Sequence, residues 1–391
     1  MQEIIISKKD DDTKLIMLLE DGKLAEYYED KSSYNRLEGN IYNGKIRNIV
    51  PGMQAAFVDI GEGKNTFIQA KDLMPKEDQT KSTRNEVKDI KQIAKVGMNV
   101  IVQVKKDANH KKGARVSTHI NLPGKYIAYM PDADFITISQ KIEDETKKER
   151  LKQFVKERLP RGSGAIIRTA AENIDTKELE TEIKSLVETW KKIKNNSKNN
   201  EIKLLYKSDD IVSKIIKDTI GQNIEKITVD TDEEYEEVKE ILAQIPKKDI
   251  KIEKVENSLS KYSLNVQIER MSQRKIWLKC GGFITIDKTE ALTAIDVNSC
   301  KYTGKENQEQ TIYTVNKEAT EEIAKQLRLR DIDGIIIIDY IDMTLDENKK
   351  KIIELLKQNI KKDRSKIQIL EFTKLNLLEI TRKHMFSNNN I

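Results

Sequence analysis

The alternation of apolar and polar positions changes period several times along the chain, and each change marks a different kind of element. Residues 3–6, 15–19 and 24–28 alternate as strands, with a Glu20-Asp21-Gly22 turn before the last of them. They make half of a small sheet with nothing local to pack on, so a partner from later in the chain is expected. Five short strand patterns follow, at 40–50, 55–60, 65–68, 99–106 and 114–120. Pro51-Gly52, Gly61-Glu62-Gly63 and Lys111-Lys112-Gly113 punctuate them. Such strands and turns fit an OB-type barrel, with residues 71–96 as a long charged insertion expected to be mobile. Residues 121–207 hold helical spacing at 145–159 and 177–195, around a strand ending in Arg168-Thr169. From 211 to 268, helix patterns alternate with strands at 227–229 and 250–252.

Residues 282–344 carry the densest chemistry. Apolar runs at 283–286 and 291–295 flank a polar turn, as in a hairpin. Ile312, Val315, Ala319, Ile323 and Leu327 then share one helical face, and Gly334 is placed to close that helix. The run Ile335 to Ile338 reads as a strand buried on both faces. A strand–helix–strand unit implies parallel strands and a right-handed crossover. Each strand ends in an aspartate, Asp296 and Asp339, at the carboxyl edge where open α/β sheets hold ligands. Two carboxylates held close repel unless a cation or proton intervenes. With oxygen donors only, Mg²⁺ or Mn²⁺ suits them better than zinc. Asn298 can add a neutral oxygen ligand or orient the group under attack. The plainer alternative is that these acids are caps or loop residues, and Asp342 is explained equally well by a turn. Beyond, 346–363 reads as a helix capped by Asp346, 366–372 as a strand and 375–383 as a last helix.

Composition narrows the class. The 391 residues allow two or three domains, and 37% hydrophobic residues suffice for ordinary cores. A net charge of only +5 means that any nucleic-acid site must come from local clustering. Cys280 and Cys300 alone make neither a disulfide framework nor a paired-cysteine metal knuckle. There is no apolar run of membrane-spanning length, and Met1-Gln2-Glu3 does not open a signal peptide, so a cytoplasmic protein is expected.

The string AIDVNS, a helix ending in EEIAKQLRLRDIDG and then IIIIDYIDMT resembles the catalytic subdomain of the RNase E/RNase G endoribonucleases. The resemblance covers the chain to roughly Arg382. It implies an α+β multidomain protein: an RNase H-like subdomain split between 1–35 and 208–271, an S1-type barrel at 36–120, a 5′-sensor subdomain at 121–207 and a DNase I-like catalytic subdomain at 272–391. It further implies that Asp296 and Asp339 hold a catalytic Mg²⁺, that Asn298 assists, and that the substrate is single-stranded RNA, in rRNA and tRNA processing and mRNA decay. The products would carry 5′-phosphate and 3′-hydroxyl ends. On the barrel, IYNGKIRNIVPGMQAAFVDIG makes Phe57 and Phe67 base-stacking residues, although from spacing alone they read equally as barrel core. Lys112 and Lys45 would add basic contacts, and Lys366 would help neutralise phosphate near the catalytic site. Arg168 and Thr169 would hold the RNA 5′-monophosphate, with Gly124 and Ala128 lining the pocket. The sequence departs from the family in having Ile60 where a tyrosine is expected and Gln140 for an arginine, which Lys141 would replace. With no cysteine after Cys300, the family's zinc link and the tetramer built on it are not expected, and a homodimer stays open. Two other readings remain: a non-catalytic S1-type RNA-binding factor and a DNA nuclease.

Overall fold

The computed structural model describes residues 2–10, 12–31, 36–73, 89–108, 113–219, 224–243, 245, 250–300 and 308–385. Lys112 and most of the 71–96 insertion lie outside the described residues. The chain divides into two compact units, Met1–Tyr34 with Gln222–Phe386, and Asn35–Gly221.

In the first unit, the N-terminal strands find the partner their sequence lacked. The spatial order is Lys251–Lys254, Ile224–Val229, Gln2–Asp10, Thr13–Glu20, Lys23–Lys31. Gln2–Asp10 runs parallel to Ile224–Val229 on one side and antiparallel to Thr13–Glu20 on the other. Ile5, Leu15, Met17 and Leu19 pack with Leu264 and with Leu329, the last residue of the helix Gln308–Leu329.

A buried charge cluster reinforces that contact. The Arg328 guanidinium donates to Glu26 at 2.7 Å and to Glu20 at 2.6 Å, and Arg364 also donates to Glu26. Burial of Glu26 opposes ionisation, but the two guanidiniums outweigh it and hold the carboxyl below its usual range. Its contribution is present above the ordinary carboxylate range and lost as pH falls through the lowered value.

The second sheet of this unit has the order Lys275–Trp277, Phe283–Lys288, Thr293–Asn298, Gly334–Asp339, Leu377–Arg382, Ile367–Phe372. Thr293–Asn298 and Gly334–Asp339 are parallel neighbours joined through Gln308–Leu329, as the strand–helix–strand pattern predicts. Ile284, Ile295, Val297, Ile336, Ile338, Leu378 and Ile380 form one core with Val315, Ala319, Ile323, Ile352 and Leu356 from helices Gln308–Leu329 and Asp346–Asn359.

Four expectations need correction here. The run Ile335 to Ile338 is not covered on both faces: Ile336 and Ile338 are fully buried, whereas Ile335 is 50% exposed. Residues 375–383 form the strand Leu377–Arg382 rather than a helix, because Leu378, Ile380 and Arg382 turn inward with period two. The helix ends at Leu329 and the chain turns at left-handed Asp331, so Gly334 opens the next strand instead of closing the helix. Asp346 lies in the first turn of its helix, after Leu345 at the cap, where its charge still suits the helix dipole.

In the second unit, Ile41–Val50, Ala55–Asp59, Thr66–Gln69, Arg115–Ser117 and Asn99–Lys106 pair in sequence around a sheet. Pairing of Ile41–Val50 with Asn99–Lys106 closes it into the expected five-stranded barrel. Gly44 is required at the closure, since a Cβ there would stand 2.7 Å from Val58 Cγ1 and 3.0 Å from the Asp59 carbonyl. Lys203–Tyr206 adds a sixth strand beside Ile41–Val50. Residues 121–207 also build a small sheet, Ile136–Ile138, Gly164–Ile167, Ile127–Met130, Leu122–Pro123. Helices Glu145–Arg158 and Thr176–Asn196 supply Val155, Leu179, Ile183, Trp190 and Ile193 to its core. Among the described residues, no helix is long and apolar enough to cross a membrane.

Replacing Glu26 with alanine takes the shared carboxylate from Arg364 and leaves Arg328 with Glu20. Urea denaturation is expected to show a loss of about 3–5 kcal/mol.

Candidate active site

Asp296 and Asp339 are register partners in the parallel pair Thr293–Asn298 and Gly334–Asp339. Residues paired in this way point to the same side, with backbones about 4.8 Å apart. Alternation decides which side. Thr293, Ile295 and Val297 face the core, so Asp296 and Asn298 stand on the exposed face, where Asp339 joins them. The Asn298 amide donates to the Asp296 carboxylate. Burial, then the charges of Asp296 and Asp342, raise the Asp339 carboxyl above its ordinary value. Asp342 itself accepts a hydrogen bond from Asn376 at 3.2 Å. Among the described residues, no group of three or more His, Cys, Asp or Glu is placed to hold a metal ion by itself. A mutually repelling carboxylate pair with a neutral amide beside it, open on one face, fits a hard cation that keeps waters and substrate oxygens in its shell.

The loop after Asp339 is held from behind by side chains that sequence reasoning missed. Asn316 is fully buried; its amide donates to the Ile341 carbonyl at 2.8 Å, and its oxygen accepts from the Ile341 N–H at 3.1 Å. The Thr320 and Tyr340 hydroxyls share a buried hydrogen bond of 2.9 Å. Glu309 accepts from Thr344 and Asn348, which hold its carboxyl down at about 2. That clamp therefore survives acidification until pH falls through this value. A signal for Asn316 existed: it sits next to Val315 in the apolar stripe of its helix, where an amide needs partners. On the opposite flank, Gly282 lets the chain lie against Asn298, whose carbonyl oxygen would be 2.7 Å from an added Cβ.

Lys366 does not belong to this site. It precedes Ile367, which pairs with Arg382, whereas Asp339 pairs with Leu377. The register puts five residues, about 17 Å of strand, between the two ends. The resemblance implies that it helps neutralise phosphate near the catalytic site, but the antiparallel turn carries Lys366 to the far edge.

On the barrel, Phe57 and Phe67 are cross-strand partners with ring centroids 5.9 Å apart, edge to face. Both are half-buried while Val58 and Ile68 fill the core, so the rings stand on the outer surface. Lys45 is half-buried and pairs across the strands with Asp59, which also binds Arg47 at 2.8 Å. Ile60 is buried in the barrel core and offers no surface contact.

Near the end of strand Gly164–Ile167, Arg168 donates to Asp218 at 3.1 Å, and the Thr169 hydroxyl shares a hydrogen bond of 2.8 Å with Ser139. The Lys141 amide reaches the same Ser139 hydroxyl, so Lys141 and Thr169 converge there. Ala128 is buried and pairs with Ile166 across the strands. The Gly124 amide is spent on the Ile127 carbonyl, while Glu182 accepts from the amides of Lys125, Tyr126 and Ile127. Gly124 thus contributes space rather than a donor: a Cβ there would lie 2.6 Å from the Glu182 carboxylate.

Residues 121–385 match the Ribonuclease E/G family model. The chain belongs to that family. Ribonuclease G of Salmonella typhimurium strain SL1344 is 36% identical over 389 residues, spanning 97% of this chain and 79% of that protein. Ribonuclease G of Escherichia coli strain K12 is 36% identical over 392 residues with the same shares. Ribonuclease E of the same strain is 32% identical over 392 residues, 98% of this chain and 37% of that longer protein. On the exposed face of the six-stranded sheet, the carboxylate pair Asp296 and Asp339 is the chemically pre-arranged feature.

Two outcomes test the arrangement. Asn316→Ala takes the amide partner from the half-buried Ile341 N–H and carbonyl and should cost about 1–3 kcal/mol in urea denaturation. In EDTA, Asp339→Asn removes a repelling charge and is expected to raise the melting temperature, measured by differential scanning calorimetry.

Proposed function

We propose that this chain is a Mg²⁺-dependent endoribonuclease that cuts single-stranded RNA internally, leaving 5′-phosphate and 3′-hydroxyl ends. The observation that carries the reading is the in-register pair Asp296 and Asp339 on an open sheet face. Family membership adds RNA as the polymer and RNA processing and decay as the setting. Asp296 and Asp339 would hold the cation, with Mn²⁺ as an alternative, and Asn298 fixes the Asp296 carboxylate by hydrogen bond. When bound, Mg²⁺ supplies Lewis-acid polarisation of the phosphodiester and charge to balance the developing anion. The Asn316 and Glu309 clamps keep the Asp339 loop from drifting as the substrate arrives.

The other surfaces take supporting roles in this proposal. Phe57 and Phe67 stack bases on the barrel, and Lys45 with Lys112 gives the strand its electrostatic path. Arg168, Thr169 and Lys141 bind a 5′-monophosphate in the space left by Gly124 beside Ala128, with Arg168 exchanging Asp218 for the phosphate. The sheet shared by the N-terminal strands and residues 224–254 supports the split RNase H-like subdomain, and the sheet of 275–382 supports the DNase I-like one.

A 5′-monophosphorylated single-stranded RNA oligomer incubated with Mg²⁺ should be cut internally, and EDTA or Asp296→Asn should abolish cleavage while binding persists. Full activity of Asp296→Asn would sink the assignment; tight binding with no cleavage by the unaltered chain would favour a binding factor. Phe57→Ala and Phe67→Ala should each weaken RNA binding by about 1–3 kcal/mol in fluorescence anisotropy titrations.

A further inference from the structure

The face that carries Asp296 and Asp339 continues across two more strands, and its side chains there are not those of an idle surface. Register pairs Asn298 with Phe283 and Phe283 with Trp277, forming one row across the strands. The adjacent row runs from Lys275 through Thr285 and Asp296 to Asp339. Each step is one strand spacing, so the Trp277 and Lys275 backbones lie about 10 Å from those of Asn298 and Asp296. Trp277 and Phe283 meet edge to face with centroids 5.4 Å apart. The Lys275 ammonium lies 4.1 Å from the Trp277 ring centroid and 3.6 Å from that of Phe283. Trp277 is 59% exposed, whereas the other tryptophan, Trp190, packs into a core. Neighbouring Arg274 is engaged with Asp287 at 2.7 Å.

We propose that Trp277, Phe283 and Lys275 form a nucleobase-stacking subsite for the RNA strand, next to the carboxylate pair. The inference rests on the endoribonuclease reading above. An exposed indole backed by a second ring offers a π-face that any base can stack on. The ammonium beside the rings supplies the opposite charge for the neighbouring phosphate. The occupant is a nucleotide rather than a second copy of the chain. The apolar patch is one indole and one half-buried ring with a cation across them, far short of the ~800 Å² per partner that a stable interface takes. It also lies on the same open face as Asp296 and Asp339, two strands away. By holding the base flanking the scissile phosphate, the subsite would fix which bond is presented for cleavage.

With only two tryptophans in the chain, one of them buried, intrinsic fluorescence reports on Trp277. In the Asp296→Asn chain, a single-stranded RNA oligomer should quench this emission, and Trp277→Leu should remove the quench. In the otherwise unaltered chain, Trp277→Leu should lower kcat/KM by roughly 5- to 100-fold, with Trp277→Phe restoring most of it. Oligomers carrying a single abasic site at successive positions locate the contact: at one position near the cut bond, Trp277→Leu should cause no further loss. Absence of quenching, or an equal loss on every abasic oligomer, would overturn the subsite. So would a Trp277→Leu chain whose loss tracks dissociation of an oligomer in sedimentation, which would make this face an interface between copies. Cleavage by Asp296→Asn would instead overturn the assignment of the carboxylate pair, and no cleavage by the unaltered chain would overturn the nuclease reading, while the quench measurement would still judge base stacking.

Discussion

The register of a single parallel strand pair governs what this protein can do. Aligning Asp296 with Asp339 places two like charges side by side, an arrangement that a sheet would not adopt for its own stability. It persists because the opposite side of the same strands is locked by Ile295, Val297, Ile336 and Ile338 against two helices. A slip of either strand by one residue would turn its aspartate into that core and bring its isoleucines out. The apolar layer therefore acts as the positioning device for a polar pair it never touches. Burial first, and then this forced proximity, raise the Asp339 carboxyl above its ordinary value.

Much of the arrangement is legible in the chain itself. The switch from period two to helical spacing and back, over residues 283–339, is enough to give a crossover and two acids at matching strand ends. Less legible is which face stays open. Four successive isoleucines look the same whether a strand is covered once or twice, and only the placement of both helices on one side decides it. Residues 377–382 show a related ambiguity, since short apolar runs satisfy either period and the strand is selected by its neighbour Gly334–Asp339. Lys366 shows how a sequence neighbour can be moved to the far end of a sheet by one antiparallel turn. Asn316 shows the reverse, a residue distant in sequence from Asp339 whose amide fixes the loop that follows it.

The two RNA-facing surfaces proposed for the second unit differ in how complete they are. The Phe57 and Phe67 rings already project from the barrel wall, needing no rearrangement to meet a base. The region around Arg168 is instead internally satisfied: Asp218 occupies the guanidinium, and Glu182 occupies the amides of Lys125 to Ile127. A phosphate arriving there has to displace an existing acid, which sets the anion's gain against a broken ion pair. In the proposed role, this balance rests on Lys141 and Arg168.

The sheet that joins Gln2–Asp10 to Ile224–Val229 also has a consequence for the birth of the molecule. The first strand emerges from the ribosome more than two hundred residues before its parallel partner. At synthesis rates of about 5–20 residues per second, it waits roughly 10–45 s with one edge unpaired. In that interval Ile4, Ile5 and Ile6, fully buried in the finished fold, have only the Thr13–Glu20 hairpin for cover. The edge of Gln2–Asp10 that Ile224–Val229 later covers stays open for that whole interval.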